Sequence, residues 1–342
     1  MTAPGDVDAG EHSTAATAPH PSALGWLGLF VEKYGVIVAW VAVIVFFSVM
    51  RPDTFAQTAT IRLILSTQTV VLGAALALMI TLAVGELDLS IGSVVGFGGA
   101  LMAVLNGEHQ MPAAAALLLT MAVCLLFGAV NAVLVVYVGV QSIIVTLGSG
   151  TFLAGLTLAI SSSQVVTGIS PSVITFMTKP RLFQVPAPFY LALALTVVVW
   201  FVLQHTPLGR RMIFISENRE VARLAGLKVN TIRAGALMAT STLGGLAGIV
   251  LAGSNGAANP QSGSYYLLPA FAAVFLGSTT IIPGRFNAWG TFVAVYFLVT
   301  GITGLQYLGH AGWPEQVFYG VSLVAAVTLS HLVAKQRQSK AI

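Results

Sequence analysis

Glu86 and Asp88 are the residues of this chain best suited to do chemistry. They lie in VGELDLSIGS (84–93), between two apolar runs, in a 342-residue sequence of which only 8% is charged. Acids embedded in apolar sequence bind cations, relay protons or sit at the positive end of a helix. An Asp at the centre of a membrane-spanning helix costs roughly 2.5–3.5 kcal/mol, so one continuous helix carrying both is a poor reading. Gly85 before them and Ser90, Gly92 and Ser93 after them predict a broken helix instead. In that reading Ser90 caps the next helix and Asp88 stabilises its start, as a structural or gating group. Contact between Asp88 and a solute is the second reading. Glu86 is expected to reach interfacial water by snorkelling.

A second constellation is SENREVARLAGLKVNTIR (216–233). It is charged and about one helix long. Asn218 is placed to cap a helix that starts near Arg219. Val221, Leu224 and Ala225 give it a small apolar face, and Gly226 can end it in a left-handed conformation. Such a helix suits docking into a groove on another protein, or lying among lipid headgroups. The remaining polar candidates are neutral. Asn131, Gln141, Gln164, Asn255 and Asn287 fall in or beside apolar stretches, with Tyr265 and Gln306 behind them. Each suits a route for a neutral polyhydroxy solute, or an ordinary hydrogen bond between helices.

The elements that must position these residues follow from composition. Hydrophobic residues make up 56% of the chain and mean hydropathy is +0.90. Soluble proteins carry about 25% charged residues. Roughly ten apolar segments, from 34–50 to 315–333, are long enough to approach the span of a bilayer. The expected fold is all-α, a polytopic transmembrane bundle. The segment 143–161 is weakly apolar, with Gly148, Gly150 and Gly155, and is expected to kink or re-enter. The segment 267–282 is expected to be a full span. Glycine spacings at Gly92/Gly96 and Gly244/Gly248 read as helix packing contacts. No convincing internal repeat is found.

Residues 1–30 read as a disordered tail, 31–335 as the transmembrane domain with a loop at 205–233, and 336–342 as a second tail. No cleavable signal peptide is apparent. Arg210, Arg211, Arg219, Arg223, Lys228 and Arg233 make the loop the strongest basic cluster, which places it in the cytoplasm. An even number of later spans puts the C-terminus there too, and counting back does the same for the N-terminus. The single cysteine, Cys124, excludes a disulfide framework. The net charge of +4 reflects basic loops and requires no nucleic acid. The chain has no GxxxxGK[ST] phosphate loop, so it is not expected to bind ATP in that manner.

These stretches also carry a resemblance. Glu220, Ala222 and Gly226 match the E-A-A-x-x-x-G pattern of permease subunits of bacterial ABC importers, with Val221 in place of Ala. GELDLSIGS (85–93) resembles the G-G-I-D-L-S-V-G-S signature of ribose-type sugar permeases, with Glu86 where that family has Gly. TLGSGTFLAGL (146–156) and LGSTTIIPGRFNAWGT (276–291) are similar to two further stretches, in the right order. The chain is therefore identified as a member of the ribose/xylose/galactose-type ABC permeases, relatives of the branched-chain amino-acid permeases.

The resemblance implies a transport subunit of the bacterial cytoplasmic membrane rather than an enzyme. It implies a coupling helix at Glu220, Ala222, Arg223, Leu224 and Gly226 that docks on an ATPase with two nucleotide-binding domains. ATP and Mg would be used by that partner, with no cofactor or metal held by this chain. An extracytoplasmic binding protein would deliver the solute, and a second permease copy would complete the pore. The rival reading is an ion-coupled secondary transporter resting on Glu86 and Asp88; an amino acid or nucleoside is the rival solute. An intramembrane enzyme has little support, since no His-rich metal motif and no Ser/His/Asp set stands out.

Overall fold

The computed structural model describes residues 23–310 and 312–339. Residues 1–22 of the expected N-terminal tail and 340–342 of the C-terminal one lie outside the described residues. Fourteen α-helices occur among the described residues. They are α1 (Ala23–Met50), α2 (Thr58–Thr67), α3 (Thr69–Leu82), α4 (Ile91–Ala103), α5 (Ala113–Ala132), α6 (Ser142–Ile160) and α7 (Pro171–Thr178). The rest are α8 (Ala187–His205), α9 (Pro207–Glu217), α10 (Arg219–Leu224), α11 (Val229–Asn255), α12 (Leu267–Gly277), α13 (Ala288–Tyr307) and α14 (Trp313–Ser339). Helices α4 and α5 each continue into a short π-helical turn. No strand forms among the described residues beyond two isolated bridges. Eight helices or helix pairs are long and apolar enough to cross a membrane.

Helix α11 is the axis of the bundle. It packs on α3, α4 and α5. The Thr240 hydroxyl donates to the Ala77 carbonyl, and Gly73 lies against Ala247, so α3 runs antiparallel to α11. Gly244 lies against Ile91 and Val94, and Gly248 against Val95, so α4 runs parallel to it. These contacts put the glycine spacings 92/96 and 244/248 at helix seams, as expected. Small residues let the backbones approach, which is what drives association where lipid is as apolar as the side chains.

The register has a consequence for α4. Arg233 and Gly244 are about 16 Å apart along α11 at 1.5 Å per residue. The end of α3 lies at the level of Arg233, and the start of α4 lies at the level of Gly244. Helix α4 therefore begins deep inside the bundle, and residues 86–90 climb to it in irregular conformation.

The expected full span at 267–282 is corrected. Its helical part is α12, only 11 residues long, preceded by the 3₁₀ turn Ser262–Tyr266. After α11 the chain folds back inward, and Gly263 packs on Gly92 and Gly96. A Cβ on Gly263 would stand 2.6 Å from the Gly92 carbonyl oxygen and 2.9 Å from the Gly96 Cα, so only glycine fits. Helix α12 then runs back to the level of Gly290 and Thr291. Helices α4 and α12 thus start at the same inner level and leave in opposite directions. The kink expected at 143–161 is also corrected: α6 is one continuous helix, with Gly148 and Gly155 open and Gly150 packed on Ser90 without breaking it.

Candidate functional site

The break between α3 and α4 carries both acids. Helix α3 closes with a turn in which the Glu86 N–H donates to the Thr81 carbonyl, and Gly85 takes a left-handed φ of 75°. Glu86 is 2% exposed. Its Oε1 accepts from Arg219 Nη2 at 2.7 Å and from Arg233 Nε at 2.7 Å, with Arg233 Nη2 at 2.5 Å. Arg219 Nη2 also donates to the Gly85 carbonyl at 3.0 Å. The expectation that Glu86 snorkels to water is overturned. The fold brings the first residue of α10 and an early residue of α11 onto it, and two guanidiniums replace its water.

Asp88 is fully buried. Its Oδ1 accepts from the Ser90 N–H at 2.9 Å and from the Ser90 hydroxyl at 2.5 Å. Ser90 occupies the N-cap position of α4, but its hydroxyl does not cap. That expectation is corrected: the carboxylate reaches two residues on and holds the turn itself, as Asp side chains do. Asp88 Oδ2 has no partner. The irregular segment of the break is tied to α6 by Thr146, whose Oγ1 accepts from the Leu89 N–H at 3.0 Å and donates to the Ser142 carbonyl at 2.8 Å. Gly92 and Ser93 open α4, Gly92 at the seam with Gly263 and Leu267, and Ser93 half-buried.

Next to this knot stands α10. Asn218 Oδ1 accepts from the Glu220 and Val221 N–H groups, both at 3.1 Å, and caps it as expected. Gly226 follows its end with φ 79°, a left-handed stop. Ala222 is buried against Ile215 and Val229. The apolar face is left open: Leu224 is 85% exposed and Val221 is exposed beside it. Arg223 and Glu220 stand 3.8 Å apart on the surface. The helix is thus anchored through Ala222 and Arg219 and presents Leu224 outward.

The five neutral candidates are not gathered in one place. Gln141 lines a cavity of about 400 Å³ beside Glu86, Arg219 and Arg233. Asn255 lines another, of about 370 Å³, with Ser66 and Tyr266. Gln164 is exposed in the turn after α6. Asn131 is buried on α5 with its Oδ1 unpartnered. Asn287 caps α13, accepting from the Gly290 N–H at 2.6 Å and donating to the carbonyls of Gly277, Thr280 and Arg285. Its amide is spent on backbone.

Three residues of the site were not singled out from sequence. By sequence, Arg219 and Arg233 belong only to a basic cluster, and Thr146 only to a resembling stretch. Their signal was present as charge and as a Thr opening a glycine-rich helix. Their common target, the 85–90 break, is more than 50 residues distant in the chain.

The comparisons agree on one family. The family described as "Branched-chain amino acid transport system / permease component" matches residues 60–327. The chain is 27% identical over 307 residues to the D-allose transport system permease protein AlsC of Escherichia coli K12, covering 90% of this chain and 94% of that one. It is 30% identical over 272 residues to the autoinducer 2 import system permease protein LsrD of Photorhabdus luminescens, covering 78% and 81%. It is 24% identical over 314 residues to the ribose import permease protein RbsC of Haemophilus influenzae, covering 91% and 97%. No solved structure matches the chain. With four-fifths of its length matched and its break and short charged helix built as described, the chain belongs to the family of branched-chain amino acid transport system permease components.

Proposed function

We propose that this chain is the membrane-spanning subunit of an ATP-driven importer for a sugar or related polyol, coupled to its ATPase through α10. The sugar class is supported by the names of the relatives, two of which specify an aldose. The positive-inside rule assigns the end carrying Arg210, Arg211, Arg219, Arg223 and Arg233 to the cytoplasm. Helix α10 then faces the compartment that holds ATP. The membrane is the bacterial cytoplasmic membrane, as for the family.

The observation that carries the coupling role is the Arg219–Glu86 contact. One end of α10 is exposed and apolar at Leu224; the other holds the carboxylate of the broken helix. A push on Leu224 is delivered to residues 85–90, and through them to the start of α4. Transport then proceeds as exchange between outward- and inward-open arrangements, powered by closure of the ATPase. The partners this requires are an ATPase with two nucleotide-binding domains, an extracytoplasmic binding protein and a second permease copy. Glu220, Ala222, Arg223, Leu224 and Gly226 form the docking element, and Asp88 and Ser90 set the gate. The ion-coupled alternative loses its leading residue, because Glu86 is already neutralised by two arginines.

The test is a mild-detergent pull-down of the tagged chain with mass spectrometry of its companions. A co-purifying ATPase, lost when Leu224→Asp removes the apolar contact, is the expected result. A preparation without ATPase, repeated after crosslinking, would sink the proposal.

A further inference from the structure

The level at which α4 and α12 start is also where a cavity of mixed polar and apolar lining opens. It measures about 310 Å³ and lies between α4, α6 and the turn leading into α12. Ser93, Thr157, Gln261, Ser264 and Tyr265 supply its polar wall. It shares no residue with the cavity beside Glu86.

Three facts bear on what it holds. First, its depth is interior. Gly263, in its wall, packs on Gly92 and Gly96, and Gly92 directly follows Ile91, which lies beside Gly244. Gly244 is about 22 Å from the start of α11 and about 16 Å from its end. Second, three of its polar groups are uncommitted, whereas the Thr157 and Ser264 hydroxyls donate to the Leu153 and Gln261 carbonyls. The Ser93 hydroxyl, the Gln261 amide and the Tyr265 hydroxyl make no side-chain hydrogen bond among the described residues. Gln261 and Tyr265 are exposed on this chain. Unpaired polar groups and irregular backbone are not tolerated against hydrocarbon, so this face meets water, solute or protein. Third, no Asp, Glu, Lys or Arg lines it. The donors and acceptors are hydroxyls and one amide, which match a neutral polyhydroxy compound better than an ion or a zwitterion.

We propose that this cavity is the solute site of the translocation route, holding one neutral polyhydroxy molecule of monosaccharide size. Its volume is at the low end of small-molecule sites, which run about 300–1,000 Å³. Gln261 reads vicinal hydroxyls through its amide, Ser93 and Tyr265 add one hydroxyl each, and Gly96 and Gly263 keep the floor flat. Because α4 and the turn before α12 meet here at Gly92, Gly96 and Gly263, a shift of the 85–90 segment changes the shape of the cavity directly. This inference rests on the importer reading for its solute class, not for its location.

The experiment is cysteine labelling of the whole transporter in liposomes. Cys124 is buried and gives a clean background. Ser93→Cys and Gln261→Cys are compared with Leu126→Cys, on the outer face of α5. A charged methanethiosulfonate reagent should modify the first two and spare the third. D-allose or D-ribose at tens of millimolar should slow modification by about threefold or more through site occupancy, and leucine should not. Absence of labelling at both positions in a preparation that retains its ATPase would overturn the proposal. So would labelling that neither sugar slows, or that leucine slows instead. If no ATPase co-purifies, the importer reading fails on its own, and sugar protection of the isolated permease still decides the cavity.

Discussion

The two helices that begin inside the bundle, α4 and α12, are approached by segments of opposite character. The approach to α4 carries two buried acids, Glu86 held by two arginines and Asp88 held through one oxygen by its own turn. The approach to α12 carries hydroxyls and an amide, without charge, facing a cavity. The buried acids here are spent on internal contacts, while Ser93, Gln261 and Tyr265 make no side-chain hydrogen bond among the described residues. A buried ion pair fixes geometry because breaking it is costly, whereas neutral polar groups can exchange partners with a passing solute at little cost.

Glu86→Ala should break the comparison most severely. It leaves Arg233, whose side chain is only 11% exposed, without its anion. Removing one partner of a buried pair costs about 3–5 kcal/mol, read as loss of monodisperse protein on heating in detergent. Arg233→Met should come close to it, while Arg219→Met should cost about 1 kcal/mol or less because that side chain is 44% exposed and screened. If Arg219→Met nevertheless abolishes solute-stimulated ATP hydrolysis, the comparison is sharpened. Equal stability losses in the two arginine variants would break it.

Gly263→Ala should come next. The added methyl meets backbone of Gly92 and Gly96, and overpacking of this kind costs about 1–3 kcal/mol. Uptake should fall with ATPase docking intact, because the seam between α4 and the turn before α12 is disturbed and α10 is not. Asn218→Ala removes the cap of α10 and should cost about 1 kcal/mol, with weaker ATPase stimulation as its readout. Leu224→Ser should be smallest for the fold, since the side chain is already exposed, yet should lower ATPase retention in a pull-down.

Much of the fold was legible because the bilayer imposes few choices. Apolar runs of the right length read as spans, and acids bracketed by Gly85, Ser90 and Gly92 read as a break. The cap at Asn218 and the stop at Gly226 were legible because both act within a few residues of themselves. Legibility failed at Leu267, where composition is apolar enough for a span but the chain enters the interior from an end and stops at Gly277. Hydropathy records length in apolar residues and carries no sign of where in depth a helix begins.

What the sequence alone determined, then, is the class of molecule, the break at 85–90 and the short charged helix at 219–224, since each follows from local composition and local hydrogen bonding. What only the tertiary structure decided is who meets whom: Arg219 and Arg233 on Glu86, Thr146 on the backbone of Leu89, Gly263 on Gly92 and Gly96. Those contacts join residues more than 50 positions apart along the chain. Their register is set by close packing of small residues along α11, a sum over many weak contacts that no single stretch of sequence displays.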